Sequence, residues 1–372
     1  MKKLMTLFFS LLMVLLFTVS PMAQHNVIGD SEEYVFWNSV GKRAAEEGLA
    51  LMKSQGVTPG SVLPFRPGLI AMTNAGFVEI AGRTTEGSLD GLAQATGVSR
   101  GRNSLVELHS HPEKPLFFAV YDKESGLCAY LEVNPDIAES IVDPAIMNAS
   151  DIFTMMSVEN IKPEHVFANA PKYADWINAK IFGGYEFPIF TILNAVAAGA
   201  PVYVLRSVEF HDHYCGGVTS GIMMAQYVKR HFSMQTPSDR YFVQGIRPWC
   251  KEDALMVMLN ATPGKSGYAV TYPTAEDIDR WWPGLENASS IIYRQNGDTG
   301  MWEGMVLGYT GGDTGCPDYG HRTINQLCGI LWNLEQMDNP ENFVNELLRF
   351  EMPEGTAPRD WARPGFDIMK AQ

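Results

Sequence analysis

A chain of 372 residues, 46% of them hydrophobic, is long enough to bury two real cores. Its net charge of −14 makes it a poor partner for nucleic acid and for anionic membranes, so neither is expected as a target. Five cysteines are an odd number, which leaves at least one thiol unpaired or on a metal and excludes a disulfide framework as the basis of the fold.

The amino terminus reads as a secretory signal peptide over residues 1–23: Met1-Lys2-Lys3, then an apolar run from Leu4 to Val19, then Ala23 as the small residue before the cut. Removing it takes the charge to about −16 and places the mature protein in the periplasm or outside the cell. No cysteine stands there to make a lipoprotein, and no other run approaches the ~18 apolar residues of a membrane span. Strands are expected at 77–81, 104–108, 117–121, 202–206, 241–246, 268–272, 290–294 and 301–309. Helices are expected near 42–52, 86–95, 136–147, 218–232, 251–260, 321–335 and 340–350. Many strands lack a following crossover helix, so the pattern predicts an α+β fold rather than a doubly wound parallel sheet.

The stretch from Phe210 to Gly221 carries the clearest chemistry, with His211, His213 and Cys215 at alternating positions before two glycines and a helix. If 210–215 is extended, these three side chains share one side, and imidazole plus thiolate is a ligand set for zinc or another borderline-soft metal. Cys215 would sit at a helix N-terminus, where the partial positive charge favours thiolate. Cys250, after Pro248 and Trp249, precedes a second helical segment and completes a Cys2His2 set. A Cys215–Cys250 disulfide is the alternative.

Three runs in order, His211 to Gly221, Trp249 to Leu255 and Asn260 to Lys265, resemble the FmdE family, named for a component of formylmethanofuran dehydrogenase. The resemblance is good over roughly 200–310. It implies an α+β domain that binds one transition metal ion, zinc first and nickel as the alternative, and that tends to pair into dimers. By motif position it assigns His211, His213, Cys215 and Cys250 as ligands, with Asp253 and Lys265 as supporting residues. Nothing resembles the pterin or iron–sulfur components of that dehydrogenase, and the Cys-rich zinc-finger tail of some family members is missing, so formylmethanofuran chemistry is not implied.

An internal repeat is also expected. Ser88 to Thr96 aligns with Ala254 to Thr262, and Phe36 to Gly41 precedes a helix as the His/Cys motif does. Residues 24–198 would form a degenerate FmdE-like copy without ligands, and 199–372 the metal-binding copy. In this alignment Thr84 stands where the second copy has Cys250, and the chain is a monomeric pseudo-dimer.

Other motifs offer rival readings. His109, His111 and Asp122 have the spacing of a JAMM-type zinc peptidase, although Ala119 stands where that family has Ser. The Gly-rich stretch 311–321 contains Cys316 and His321, either of which could replace a ligand. Nineteen methionines raise copper(I), but their helical spacing suits core packing better. The resulting expectation is an exported protein that binds or handles a metal ion or a metal-containing small molecule. The alternative is a metal-dependent hydrolase or oxidoreductase acting on a small molecule, with Asp253 or Lys265 as acid/base partner.

Overall fold

The computed structural model describes residues 31–57, 68–363 and 367–370. The expected signal peptide lies outside the described residues. The architecture is α+β, with two five-stranded sheets and helices between and around them.

The first sheet follows helix α1 (Glu32–Ser54). Its strands are β1 (Leu69–Thr73), β4 (Leu105–Glu107), β5 (Phe117–Asp122), β6 (Leu127–Val133) and β7 (Phe153–Asn160), in the order β4-β1-β5-β6-β7. A small hairpin, β2 (Glu79–Ile80) with β3 (Arg83–Thr84), and helix α2 (Gly87–Thr96) lie between β1 and β4. Strands β1 and β5 are buried along their whole length, which explains their apolar runs Leu69 to Met72 and Phe117 to Tyr121. Short helices over 163–197 lead to α3 (Val202–Phe210) and α4 (Gly216–His231).

The second sheet repeats the connectivity of the first. After α4 come β8 (Arg240–Ile246), α5 (Lys251–Leu259), β9 (Tyr268–Thr271), β10 (Ala288–Gln295), β11 (Trp302–Tyr309) and, beyond helix α6 (Arg322–Glu335), β12 (Val344–Glu351). The order is β9-β8-β10-β11-β12, so in each sheet the first strand pairs in parallel with the second and antiparallel with the third. The registers agree as well. Leu105, Ala71, Val120, Ala129 and Val158 lie side by side across the first sheet, as Tyr268, Val243, Ile292, Met305 and Arg349 do across the second. Ala71 N donates to Ser104 O at 2.8 Å and Val243 N to Gly267 O at 2.9 Å, the same bond at the same place.

Helix α1 covers one face of the first sheet, with Trp37, Val40 and Ala44 packed in one cluster with Ala71, Phe118 and Val120. The opposite face, through Met72, Ala119 and Tyr130, joins a core shared with α3, α4, α5, α6 and the inner face of the second sheet at Val243, Ile292 and Met305. The outer face of that second sheet, including Ile291 and Tyr293, is covered by Trp281, Leu285, Met352 and Met369. Each large apolar side chain buried this way contributes about 1.5–3 kcal/mol, and the middle core belongs to both halves.

Three sequence expectations fail for local reasons. The predicted strand 202–206 is the start of α3: Pro201 is the N-cap, and Val204 and Val208 are buried one helical turn apart. The predicted helix 340–350 is mostly β12, an edge strand whose pairing with β11 overrides its helix-forming Glu and Arg residues. The predicted helix 136–147 is two 3-10 turns, opened by Pro135 and Pro144 and capped by Asn134 and Asp143.

Candidate metal centre

The residues between α3 and α4 are a tight reversal and not the extended run expected. His211 is the C-cap of α3 with φ −81° and ψ −4°, and Asp212 turns the chain at φ +66°. The two imidazole centroids then lie 4.3 Å apart. Cys215 is the N-cap of α4 and Cys250 the N-cap of α5, so both thiols stand at helix N-termini, where the helix field favours thiolate.

Glycines bring the two helix starts together. A Cβ on Gly221 would lie 2.2 Å from Lys251 O, and one on Gly217 would lie 2.8 Å from Cys250 Cβ. One ring nitrogen from each of His211 and His213 and Sγ from each of Cys215 and Cys250 consequently lie within 4.8 Å of one another. His211 Nδ1 bonds Asp253 Oδ2 at 2.6 Å, and His213 Nδ1 bonds Asp212 Oδ1 at 2.6 Å. Such bonds orient the rings and leave Nε2 for a metal. His211 Nε2 is buried and has no hydrogen-bond partner, an orphan that an ion would satisfy. The donor set is that of a tetrahedral N2S2 site.

The electrostatics suit a cation. Burial opposes ionisation of Cys215, yet the adjacent His211 and His213 outweigh it and hold the thiol down at about 5. Burial also works against a charged His211, but Asp253 and Cys215 prevail and lift it to about 9. His213 is raised in the same way by Asp212 and Cys215. Burial and then the neighbouring Cys215 push Cys250 up to about 11.

Behind Cys250 lies a buried ion pair, Lys251 Nζ to Glu252 Oε1 at 2.6 Å. Lys251 also donates to Ile246 O and Arg247 O, while Glu252 accepts from Trp249 N at 2.7 Å. This pair ties the start of α5 to the end of β8. Sequence reasoning missed it because adjacent Lys and Glu usually mark a solvated face. It likewise missed Gln326 on α6, whose Oε1 accepts from Gly216 N at 3.0 Å. The glycine spacing Gly217 and Gly221 was the available signal for a close helix crossing.

Residues 210–299 match the sequence model of the family described as FmdE, Molybdenum formylmethanofuran dehydrogenase operon. The chain carries an FmdE domain. That FmdE stretch runs from the last residue of α3 past the end of β10, so all four clustered residues fall within it. No curated protein matches the chain in sequence. The FmdE domain and its His/Cys cluster fit a metal-binding role.

The remaining candidates stand elsewhere. Lys265 bonds Asn260, the C-cap of α5, at the far end of a helix about 13 Å long, so it is no neighbour of Cys250. Cys316 is bonded to Cys328 in a disulfide, which removes it as a ligand, while Cys215 and Cys250 are free thiols rather than the alternative disulfide pair. His321 caps α6, accepting from Thr323 N through Nδ1, and is not among the four clustered residues. The peptidase triad is also dispersed. Asp122 pairs with Leu69 at one end of β1 whereas His109 follows β4 beyond Thr73 at the other, about 13 Å away. His109 instead stacks on Phe210, and exposed His111 accepts from Glu113 N.

The first half has a corresponding crossing without ligands. Gly41 of α1 meets Ser88 O of α2 as Gly221 meets Lys251 O, which sets Gly87, and not Thr84, opposite Cys250, and Trp37 opposite Gly217. Trp37 lies within α1 rather than ahead of it.

Proposed function

We propose that this protein is an exported metal-binding protein of the FmdE family, holding one zinc or nickel ion on His211, His213, Cys215 and Cys250. It would store, deliver or present that ion, alone or within a small molecule. The observation that carries this reading is the convergence of four donor atoms within 4.8 Å around the orphaned His211 Nε2. Binding is preferred to catalysis because Asp253 is committed to His211 and Lys265 is remote, so neither stands ready as an acid or base. Export is supported by the amino-terminal sequence and by the Cys316–Cys328 disulfide, a bond that persists in oxidising compartments. Among the described residues no helix is long and apolar enough to cross a membrane.

We further read the two halves as copies of one ancestral unit, supported by their shared strand order and register. One chain would then do the work of a family dimer with one site retained. The test is elemental analysis of protein purified from its native compartment. One equivalent of metal is expected, falling to background in Cys215→Ala and staying in His109→Ala. Full occupancy in Cys215→Ala would refute the assignment.

A further inference from the structure

The rim of the centre carries groups that metal binding does not require. Two exposed rings stand one position before clustered residues: Phe210, 43% exposed, before His211, and Trp249, 65% exposed, before Cys250. A third ring, Phe187, lies 5.2 Å from that of His213. The guanidinium of Arg322, at the start of α6, sits 5.5 Å from the Phe187 ring centroid. It is exposed and makes no ion pair with any described residue. The Gly216–Gln326 bond holds that end of α6 against the start of α4. The two carboxylates nearby, Asp212 and Asp253, are occupied by His213 and His211.

Trp249 leaves most of its ring in water, which costs free energy relative to burial, and Phe210, with one face stacked on His109, leaves a smaller part of its ring exposed. A flat π surface would recover that energy by stacking, and a planar guanidinium pairs a carboxylate in bidentate fashion. We propose that the metal centre takes a flat, conjugated small molecule bearing a carboxylate, its ring lying on the aromatic rim and its carboxylate on Arg322. The proposal rests on the reading of His211, His213, Cys215 and Cys250 as a metal site, and it names the class of molecule handled there.

The test uses the full mature chain loaded with zinc and the probe 2-naphthoate, followed by calorimetry, with metal content measured on every sample. Binding is expected, weakened at least about ten-fold in Arg322→Ala, as loss of a charge-assisted pair implies. A similar loss is expected in Phe187→Leu, with metal content unchanged in both. Cyclohexanecarboxylate, which lacks the flat ring, and 2-naphthol, which lacks the carboxylate, should bind correspondingly more weakly. A zinc-loaded protein that ignores 2-naphthoate, or binds it equally well in Arg322→Ala, overturns this proposal and leaves the metal reading intact. Protein that takes up neither zinc nor probe overturns both.

Discussion

At the crossing of α4 and α5 the glycine is Gly217 and the side chain beside it is that of Cys250; at the crossing of α1 and α2 the glycine is Gly87 and the side chain beside it, through its Cβ, is that of Trp37. The two crossings are alike in backbone, since Gly221 and Gly41 each press on a carbonyl of the partner helix. The bulk beside the glycine comes from Cys250 at the start of α5 in one crossing and from Trp37 of α1 in the other. In the second half the space at the crossing holds a small, ionisable group; in the first the crossing is packed by an apolar one, within α1, that is 1% exposed. A shared scaffold can thus spend the same junction on chemistry or on packing.

The largest effect is expected where packing won. Trp37→Ala should cost about 3–5 kcal/mol of stability, read by denaturant unfolding, while the folded fraction keeps its full metal content. Metal loss from the folded protein would show that the two crossings are not independent in function. Gly217→Ala attacks the other crossing, since its Cβ must push Cys250 aside. A stability loss of about 1–3 kcal/mol is expected, accompanied by a fall in zinc affinity that Trp37→Ala does not cause. Asp253→Asn keeps the shape of the group bonded to His211 Nδ1 but removes its charge. Zinc affinity should drop about 10–100-fold by chelator competition, with little change in melting temperature.

The last effect, which needs no substitution, is the pH dependence of zinc affinity. A metal must displace protons from its ligands, and in this protein the His211 value stands at about 9 and that of Cys250 at about 11. Both lie above neutral, so protons compete with the ion at pH 7. Raising the pH removes that competition, and affinity should rise steadily from pH 6 to pH 9. Chelator titrations at fixed ionic strength would reveal it, and a flat profile would mean that neither His211 nor Cys250 holds a proton for the metal to displace.

Much of the second half was legible because its signals were local. The helical spacing of Val218, Ile222, Ala225 and Val228 and the short apolar runs in β8 and β10 are properties of short windows. The cluster of His211, His213, Cys215 and Cys250 was visible as residue types near helix starts, although the geometry proposed for it was wrong: a reversal at Asp212, and not a strand, brings the imidazoles together. What stayed hidden depends on contacts made across the fold. Strand β1 is buried by α1 on one side and the central core on the other, and β12 is a strand because β11 pairs with it. The alignment that set Thr84 opposite Cys250 compared sequences along one helix; superposing the contact of Gly41 with Ser88 on that of Gly221 with Lys251 puts Gly87 there instead.

The middle core, to which Met72 and Tyr130 of the first sheet and Val243 and Met305 of the second all contribute, has no seam along which the chain could part. Heat or denaturant should therefore meet one cooperative unit rather than a metal-holding piece and a spare one. A protease that nicks the path between β7 and α4 would leave two fragments still wedded by their shared interior. Evolution faces the same constraint: the first half cannot be shed without laying open the apolar floor on which the His/Cys cluster stands.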